Sequence, residues 1–542
     1  MDRLLYRRPH DLPVQSDEMK EILKYARNEA DDQAIGLLEN YMCGDIQLSG
    51  PDTFVAFRLY VFMLYLAERY EESLKSIERA ESLGVFNSKD IFSALFRGWN
   101  SLALGNINNA ADICARILKD IPECRTDSIS MAALLHLRGR ARFYQGQMSR
   151  AHRDLRDSVA LYRITGDQFG LAVSITALSV LEKTAFNLRS AESLTREAIS
   201  LLDGLGLHSR ALGLRVNLAV IEFKRGNFSQ SLKAVKSIIH DSRRQRVDVI
   251  SGAVVQAARC ELIGGESTEY LSRLYSVLDE VIQIKSIRME IIVCETIADW
   301  EAEKGNITNA LRLIDRAKMI ATKGGQKGEL LLGLLRREGT YLLRSGSVLR
   351  AAELLKEVVK SCRSRAELYE LGIACRDLAK CYLDNNQCRS AYNSINESIS
   401  AFRELGAEYQ LALSYEVSAN IHYCWYLLIK RIGREDSQVA SFIEHEDYEA
   451  TGLTCVAHIE ISWSHIAEAA NLYSKFNLHD MESGCHHLME TIQKTTVPLW
   501  ARNYDRVIVR PALMSGSTFI AQAPSMRKLL TLVEIAASTR EP

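Results

Sequence analysis

Proline is scarce in this chain of 542 residues, which contains only eight. Proline interrupts helices, so its scarcity suits an almost wholly helical protein. Long apolar runs are also missing: the most apolar early segment, residues 60–67, is too short to span a bilayer, and the N-terminus lacks the apolar stretch of a secretory signal. The sequence therefore predicts a soluble, cytoplasmic, all-α protein with no membrane contact.

An excess of either charge is also missing. Lys and Arg number 67 and Asp and Glu 68, which gives a formal net charge of −1. Such a balance provides no general attraction to nucleic acid or to anionic membranes. The densest basic run, residues 243–246, is flanked by Asp241 and Asp248 and has no aromatic residue within it, which is typical of a solvated loop. We therefore predict no direct nucleic-acid binding.

Cysteine is present twelve times, but the Cys-x-x-Cys spacing of metal and redox sites is absent. The closest set, Cys375, Cys381 and Cys388, falls across one predicted helical hairpin, where a thiol serves as a small apolar core residue. A second cluster, residues 485–487 with His479 upstream, has zinc-ligand residue types, but adjacent side chains on a helix point in different directions. The sequence favours structural or surface roles for both sets, with no metal and no cofactor.

Catalytic motifs are missing as well. The sequence contains no phosphate-binding Gly-x-x-x-x-Gly-Lys-Ser/Thr loop, no His-Glu-x-x-His and no Gly-x-Ser-x-Gly. Paired acids such as Glu71 and Glu72 are common on exposed helix faces. With no converging acid, base and nucleophile, the chain is predicted not to be an enzyme.

What the chain does contain is a repeat of about forty residues, with successive steps of 39 to 41. Each copy has a small residue, a turn residue seven places later and a second small residue five places beyond that. The first small residues are Gly98, Gly139, Ser179, Ala219, Ala258, Ala298, Gly339 and Ala379. The turn positions are Gly105, Gly146, Phe186, Gly226, Gly265, Gly305, Gly346 and Asn386. The second small positions are Ala110, Ala151, Ala191, Ser231, Tyr270, Ala310, Ala351 and Ala391.

This spacing predicts a stack of helical hairpins. Two antiparallel helices approach closely only where small side chains lie at their crossing, and Gly or Asn suits the tight turn between them. In the turns at residues 105–110 and 305–310, Asn or Thr is expected to cap the second helix, and the third residue to pack beneath the turn. The pattern resembles the tetratricopeptide repeat (TPR) family over residues 20–490. Its longer unit predicts helices extended by about a turn, as in some bacterial signal-responsive regulators.

The repeat count is about eleven, and the end copies are degenerate, as expected of capping units. Ala34 and Ser73 suit two N-terminal copies. Ala419 keeps the spacing, residues 434–449 look inserted, and Ala469 with residues 476–478 predicts a last hairpin. The predicted domains are a tail at 1–18, an α-solenoid at 19–494, a linker with a short extended segment at 495–517, and a final segment at 518–542.

The final segment has a character of its own. Residues 525–537 place apolar side chains on one helical face. Ser525-Met526 and the terminal run 538–542 resemble the start of the AAA+ domain of sigma-54-dependent activators, although Ala521 stands where that family usually has Gly. The resemblance implies that a core strand and an ATP- and Mg²⁺-binding loop would follow. This chain ends before both, so it is expected neither to hydrolyse ATP nor to contact sigma-54 RNA polymerase itself.

Two functional hypotheses follow. In the first, the solenoid is the regulatory module of such an activator, and its concave face binds a protein, a peptide or a small effector and so controls the ATPase. In the alternative, the chain is a stand-alone TPR scaffold that assembles other proteins. Candidate groove residues are Arg142, Lys224, Arg259 and Trp300, although long polar side chains on helices are often only solvated.

Overall fold

The computed structural model describes residues 17–27, 31–43, 51–67, 69–87, 90–120, 128–240, 247–264, 268–432 and 455–501. Regular structure in these ranges is entirely α-helical, which confirms the all-α prediction. The first twelve helices are α1 (Asp17–Arg27), α2 (Asp31–Cys43), α3 (Pro51–Leu66), α4 (Tyr70–Ser82), α5 (Ile91–Ala103), α6 (Ile107–Asp120), α7 (Ser128–Tyr144), α8 (Met148–Thr165), α9 (Gln168–Thr184), α10 (Leu188–Gly204), α11 (His208–Lys224) and α12 (Phe228–His240). The next are α13 (Val247–Gly264), α14 (Glu269–Gln283), α15 (Ile287–Glu303), α16 (Ile307–Lys323), α17 (Glu329–Arg344), α18 (Val348–Arg365), α19 (Leu368–Asp384), α20 (Cys388–Leu405), α21 (Glu408–Ile432), α22 (Cys455–Lys475) and α23 (His479–Ala501).

Consecutive helices pack as hairpins from α1–α2 to α19–α20, and the last three described helices, α21, α22 and α23, also pack in succession. The chain divides into two compact units, residues 1–374 and 375–542, and each is described by itself. Most turns within the hairpins use a left-handed residue. The φ angles are +77° at Gly105, +76° at Gly146, +65° at Phe186, +89° at Gly226, +84° at Gly305, +83° at Gly346 and +58° at Asn386. Gly265 lies outside the described residues.

The turns differ from the sequence prediction in one respect. Asn306 precedes α16, but its side chain makes no capping hydrogen bond to that helix. Its Nδ2 instead donates to Glu301 Oε2 at 3.0 Å, back on the preceding helix. In the same way, Asn227 Nδ2 donates to Glu222 Oε2 on the preceding helix. With φ near −80° and ψ near 55°, Asn306 stays outside the extended region that N-caps usually occupy.

The end of the solenoid contains the last hairpin that Ala469 and residues 476–478 predicted: α22 packs against α23, and the turn between them uses Asn477 at a φ of +56°. The first helix of this hairpin, α22, also packs against α21, where Ser462 Oγ donates to the Ala419 carbonyl at 2.8 Å. The predicted insertion falls between these two helices in sequence and lies outside the described residues. The last helix runs to Ala501, so residues 495–501 of the predicted linker are helical. Pro498 removes one backbone hydrogen bond there without ending the helix. The rest of that linker and the segment 518–542 lie outside the described residues.

The small residues of the repeat lie where helices cross. Almost fully buried are Ala110, Ala151, Ala219, Ala258, Ala298, Ala310, Ala351, Ala379 and Ala391. A methyl group added at Gly98 would lie 2.4 Å from Leu137 Cδ2, and one at Gly139 would lie 2.9 Å from Leu155 Cγ. Any larger side chain at these positions would force the helices apart.

The Gly339→Ala substitution tests this packing. The added methyl would lie 2.7 Å from Cγ of the fully buried Leu355, so we expect a loss of about 1–3 kcal/mol in the free energy of unfolding. Urea denaturation followed by circular dichroism measures it. The matched control is Gly252→Ala, also within a helix, where the nearest atom would be 3.7 Å away. Because alanine is the better helix former, that variant should gain up to about 1 kcal/mol. Equal stabilities for the two variants would contradict the packing argument.

Candidate functional site

The solenoid of residues 1–374 closes on itself. Ile107 N, at the start of α6, donates to the Gly324 carbonyl at 3.0 Å. Gly324 lies more than five repeat lengths further along the chain. Lys327 N and Gly328 N donate to the Tyr144 carbonyl at 3.0 and 3.1 Å. These bonds, which we call the inter-turn contact, join turns within hairpins to loops between later hairpins. They fix the curvature of this unit.

Its inner face is formed by the first helices of the hairpins. Arg288 on α15 lies over the ring of Tyr144 on α7, 5.3 Å from the ring centroid. Lys224 on α11 lies over the ring of Tyr369 on α19, at 4.4 Å. Each contact joins first helices four hairpins apart. Such contacts form only if the first helices line the inside of the curve.

Four cations on this face make up what we call the inner basic cluster: Lys183, Lys224, Arg259 and Arg288. They come from four successive first helices, α9, α11, α13 and α15. Lys183 Nζ donates to Asn217 Oδ1 at 2.8 Å, and Lys224 Nζ donates to the Lys183 carbonyl at 3.3 Å. Arg259 Nη2 lies 3.6 Å from Glu295 Oε2. Among the described residues, no carboxylate lies within 4.0 Å of the side-chain nitrogens of Lys183, Lys224 or Arg288.

The electrostatics follow from this arrangement. Burial, together with the positive charges of Lys224, Arg288 and Arg259, lowers the pKa of Lys183 to about 7 against the opposing effect of Glu329. Burial also lowers the pKa of Lys224, against the effects of Glu329 and Glu370. A lysine with a pKa near neutrality is an amine whose charge a nearby anion can restore. The cluster is therefore an electropositive site whose charge depends on pH.

Acidic groups on α15, α17 and α19 border the cluster. Glu329 Oε2 accepts from Thr184 Oγ1 at 3.2 Å, and Arg336 Nε donates to Glu370 Oε2 at 3.1 Å. Arg337 Nε lies 3.0 Å from both carboxylate oxygens of Asp299, and its Nη1 pairs with Glu295. These acids are thus largely engaged by arginines of the adjacent hairpin or by a hydroxyl group.

A stacked aromatic pair completes the site. The rings of Phe186 and Tyr369 lie 4.9 Å apart with an interplanar angle of 14°. Lys224 Nζ lies 5.7 Å from the centroid of the Phe186 ring as well as over Tyr369. A flat aromatic surface next to cations can pack against apolar parts of a ligand while the cations bind its charge.

The predicted groove residues separate into two groups. Lys224 and Arg259 belong to the inner basic cluster, whereas Arg142 pairs with buried Asp154 at 2.6 Å and Trp300 lies beside Tyr275 of α14. Sequence reasoning missed Lys183, Arg288 and Tyr369. Their positions relative to one another depend on curvature over several repeats. Position 186 was marked as a turn by the repeat, but nothing in the sequence indicated its aromatic partner.

The cysteine and histidine clusters are placed as follows. Cys375, Cys381 and Cys388 are buried thiols, and burial raises the pKa of Cys381 to about 12. Cys485 is buried, while His479 and His486 are largely exposed. Within the described part of the chain, no group of three or more His, Cys, Asp or Glu residues is arranged to hold a metal ion. Over the same residues, no helix combines the length and apolar character needed to cross a membrane.

Comparisons with known proteins give a fold. No protein-family model matches the chain, and no curated protein is significantly similar to it in sequence. Its structure is similar to that of a Rap protein complexed with competence and sporulation factor, at 13% identity and a TM-score of 0.52, over 66% of this chain and 99% of that one. Yeast Tom70 is 13% identical, with a TM-score of 0.36 over 79% of this chain and 98% of that one. BtubC from P. vanneervenii is 14% identical, with a TM-score of 0.26 over 45% of this chain and 92% of that one. These two lower TM-scores add no argument. The fold is that of a TPR-type α-solenoid.

Proposed function

We propose that this chain is a regulatory binding module whose inner face binds a protein or peptide segment, or a small effector. The observation that supports this most is the set of three cations on the inner face, Lys183, Lys224 and Arg288, that have no carboxylate partner among the described residues. Partly buried charges without counterions destabilise a fold, so their presence favours a ligand that compensates them. The similar Rap protein is itself complexed with a factor, which agrees with this use of the fold.

The same geometry suggests how binding would be transmitted. Thr184 and Phe186 contact Glu329 and Tyr369 of later hairpins, so the inner basic cluster lies against the connections between successive turns of the solenoid. A ligand that withdraws Lys224 from Tyr369 would change the strength of those connections. Binding would then favour one arrangement of the unit over another, which is the requirement for regulation.

For the output, we propose control of an AAA+ ATPase of the sigma-54-activator type, in the cytoplasm and without direct nucleic-acid or membrane contact by this chain. The support is the resemblance of residues 518–542 to the start of that domain. Reading the coding frame past Pro542 tests it: a strand followed by a glycine-rich lysine loop supports the regulator. A stop codon with no ATPase sequence nearby favours the alternative, a stand-alone scaffold. In a full-length regulator, promoter output that ignores both solenoid deletion and Lys224→Met would overturn the sensing role.

Binding itself is tested with peptides. Peptides selected from a random library on the immobilised full chain are measured by fluorescence anisotropy against the double variant Lys224→Met/Tyr369→Ala. We expect affinity to fall at least about tenfold, since both changes remove inner-face contacts. The matched control is Lys233→Met, an exposed lysine on the second helix α12, which should bind like the unmodified chain. If the selected peptides bind Lys224→Met/Tyr369→Ala and Lys233→Met with equal affinity, the inner face is not the binding site.

A further inference from the structure

The charge on the inner face exceeds what a simple carboxylate would balance. Six cations lie there, Lys183, Lys224, Arg259, Arg288, Arg336 and Arg337, together with four carboxylates, Glu295, Asp299, Glu329 and Glu370. Arg365 and Glu367 add one group of each sign nearby. Two positive charges therefore remain uncompensated among these groups when all are ionised.

We propose that the inner basic cluster binds a phosphate dianion carried by the ligand. This inference rests on the proposed function and specifies the chemistry of its ligand. The four cations of the cluster project from four successive first helices, so together they can surround an anion. A single carboxylate would leave one positive charge unbalanced, whereas a phosphate carries close to two negative charges at neutral pH and accepts hydrogen bonds through three oxygens.

Lys183 gives the site a measurable response to such an anion. The charged groups facing it are Lys224 on α11, Arg259 on α13, Arg288 on α15 and Glu329 on α17, and its hydrogen-bond partner is Asn217. Its pKa of about 7 leaves the amine roughly 90% neutral at pH 8. A bound dianion favours the ammonium form, so binding at pH 8 should take up nearly one proton.

The test uses isothermal titration calorimetry on the full chain at pH 8, in two buffers of different ionisation enthalpy. Three probes are compared: inorganic phosphate, sulfate as a dianion that does not itself titrate, and acetate as a single carboxylate. We expect phosphate and sulfate to bind at least about tenfold more tightly than acetate and to take up protons. Equal affinity for acetate, or dianion binding without proton uptake, would overturn the inference.

Variants locate the site. Lys183→Met should abolish proton uptake, and Lys183→Met/Lys224→Met should also weaken phosphate binding at least about tenfold, whereas Lys233→Met should change neither. Circular dichroism of each variant confirms folding. If Lys183→Met still takes up protons, the assignment is wrong.

The source of the phosphate is distinguished by comparing free O-phosphoserine with a phosphoserine peptide and its serine counterpart. Tighter binding of the phosphopeptide than of O-phosphoserine identifies a peptide ligand, and equal binding identifies a small phosphorylated molecule, both in accord with the inference. Should library peptides bind the inner face with no preference for phosphate, the dianion inference fails while the proposed function stands. If neither peptides nor dianions bind there, both fail.

Discussion

Gly324→Ala is expected to break the inter-turn contact and to open the solenoid of residues 1–374. A methyl group at this position would lie 2.4 Å from the carbonyl oxygen of Gly105, a backbone atom that cannot rotate away. The φ of Gly324 is −76°, a value that alanine adopts freely, so the effect is steric and confined to the contact. To relieve the clash, α6 and the loop after α16 must separate, which removes the Ile107 N to Gly324 O hydrogen bond.

Two measurements report this opening. Hydrogen exchange at the Ile107, Lys327 and Gly328 amides should accelerate by roughly tenfold or more, because all three donate across the contact. Small-angle X-ray scattering should show a larger radius of gyration. The control is Gly204→Ala, where an added methyl has no atom within 4 Å and φ is not positive. Unchanged amide protection and scattering in Gly324→Ala would show that the contact does not maintain the curvature.

The same variant links curvature to binding. Phe186 and Tyr369 stack across the gap that Gly324→Ala would widen, and Thr184 would lose its bond to Glu329. An opened solenoid would then present the inner basic cluster without its aromatic neighbours. Weaker peptide binding by Gly324→Ala, with Gly204→Ala unaffected, is the result expected if ligand affinity and curvature are coupled.

The repeat explains which parts of this structure could be predicted from the sequence. Turn and crossing positions such as Gly105 and Gly339 depend on neighbours within one hairpin, so local spacing was enough to predict the hairpins. The inner site depends on contacts between residues four or more hairpins apart. Lys224 could be suggested only as one of many polar helix residues. Its proximity to Tyr369 follows from the curvature of the solenoid, which is the sum of small rotations between successive repeats.

The unit formed by residues 375–542 is expected to lose stability in mild acid because of a buried histidine cluster. His422 Nδ1 lies 2.9 Å from His458 Nδ1, and His465 Nδ1 lies 3.0 Å from Ser418 Oγ. Burial lowers the pKa of His422 to about 3, with the neighbouring histidines adding to the effect, and lowers that of His458 to about 4. Burial, with a smaller effect from Arg403, lowers that of His465 to about 4.

The direction in which stability changes with pH follows from the direction of these pKa shifts. Each folded-state pKa lies below the ordinary value of 6.5, so protonation favours the unfolded chain. The contribution of the cluster is therefore complete above about pH 6.5 and is lost as the pH falls towards 4. At pH 5 each independent histidine would cost about 2 kcal/mol of unfolding free energy relative to pH 7, and coupling between His422 and His458 makes the sum for three an upper limit.

Hydrogen exchange of the amides in α21 and α22 of the full chain, measured from pH 7 to pH 5 and corrected for intrinsic rates, reports this loss. His458→Gln removes one titrating group and should flatten the dependence of opening free energy on pH by up to about 1.4 kcal/mol per pH unit. His479→Gln, at a largely exposed position on α23, is the matched control and should leave the slope unchanged. A slope that is the same in all three proteins would mean that the buried histidines do not set the acid limit. A slope that falls only in His458→Gln would assign that limit to the contact between α21 and α22, two helices that the sequence alone did not pair.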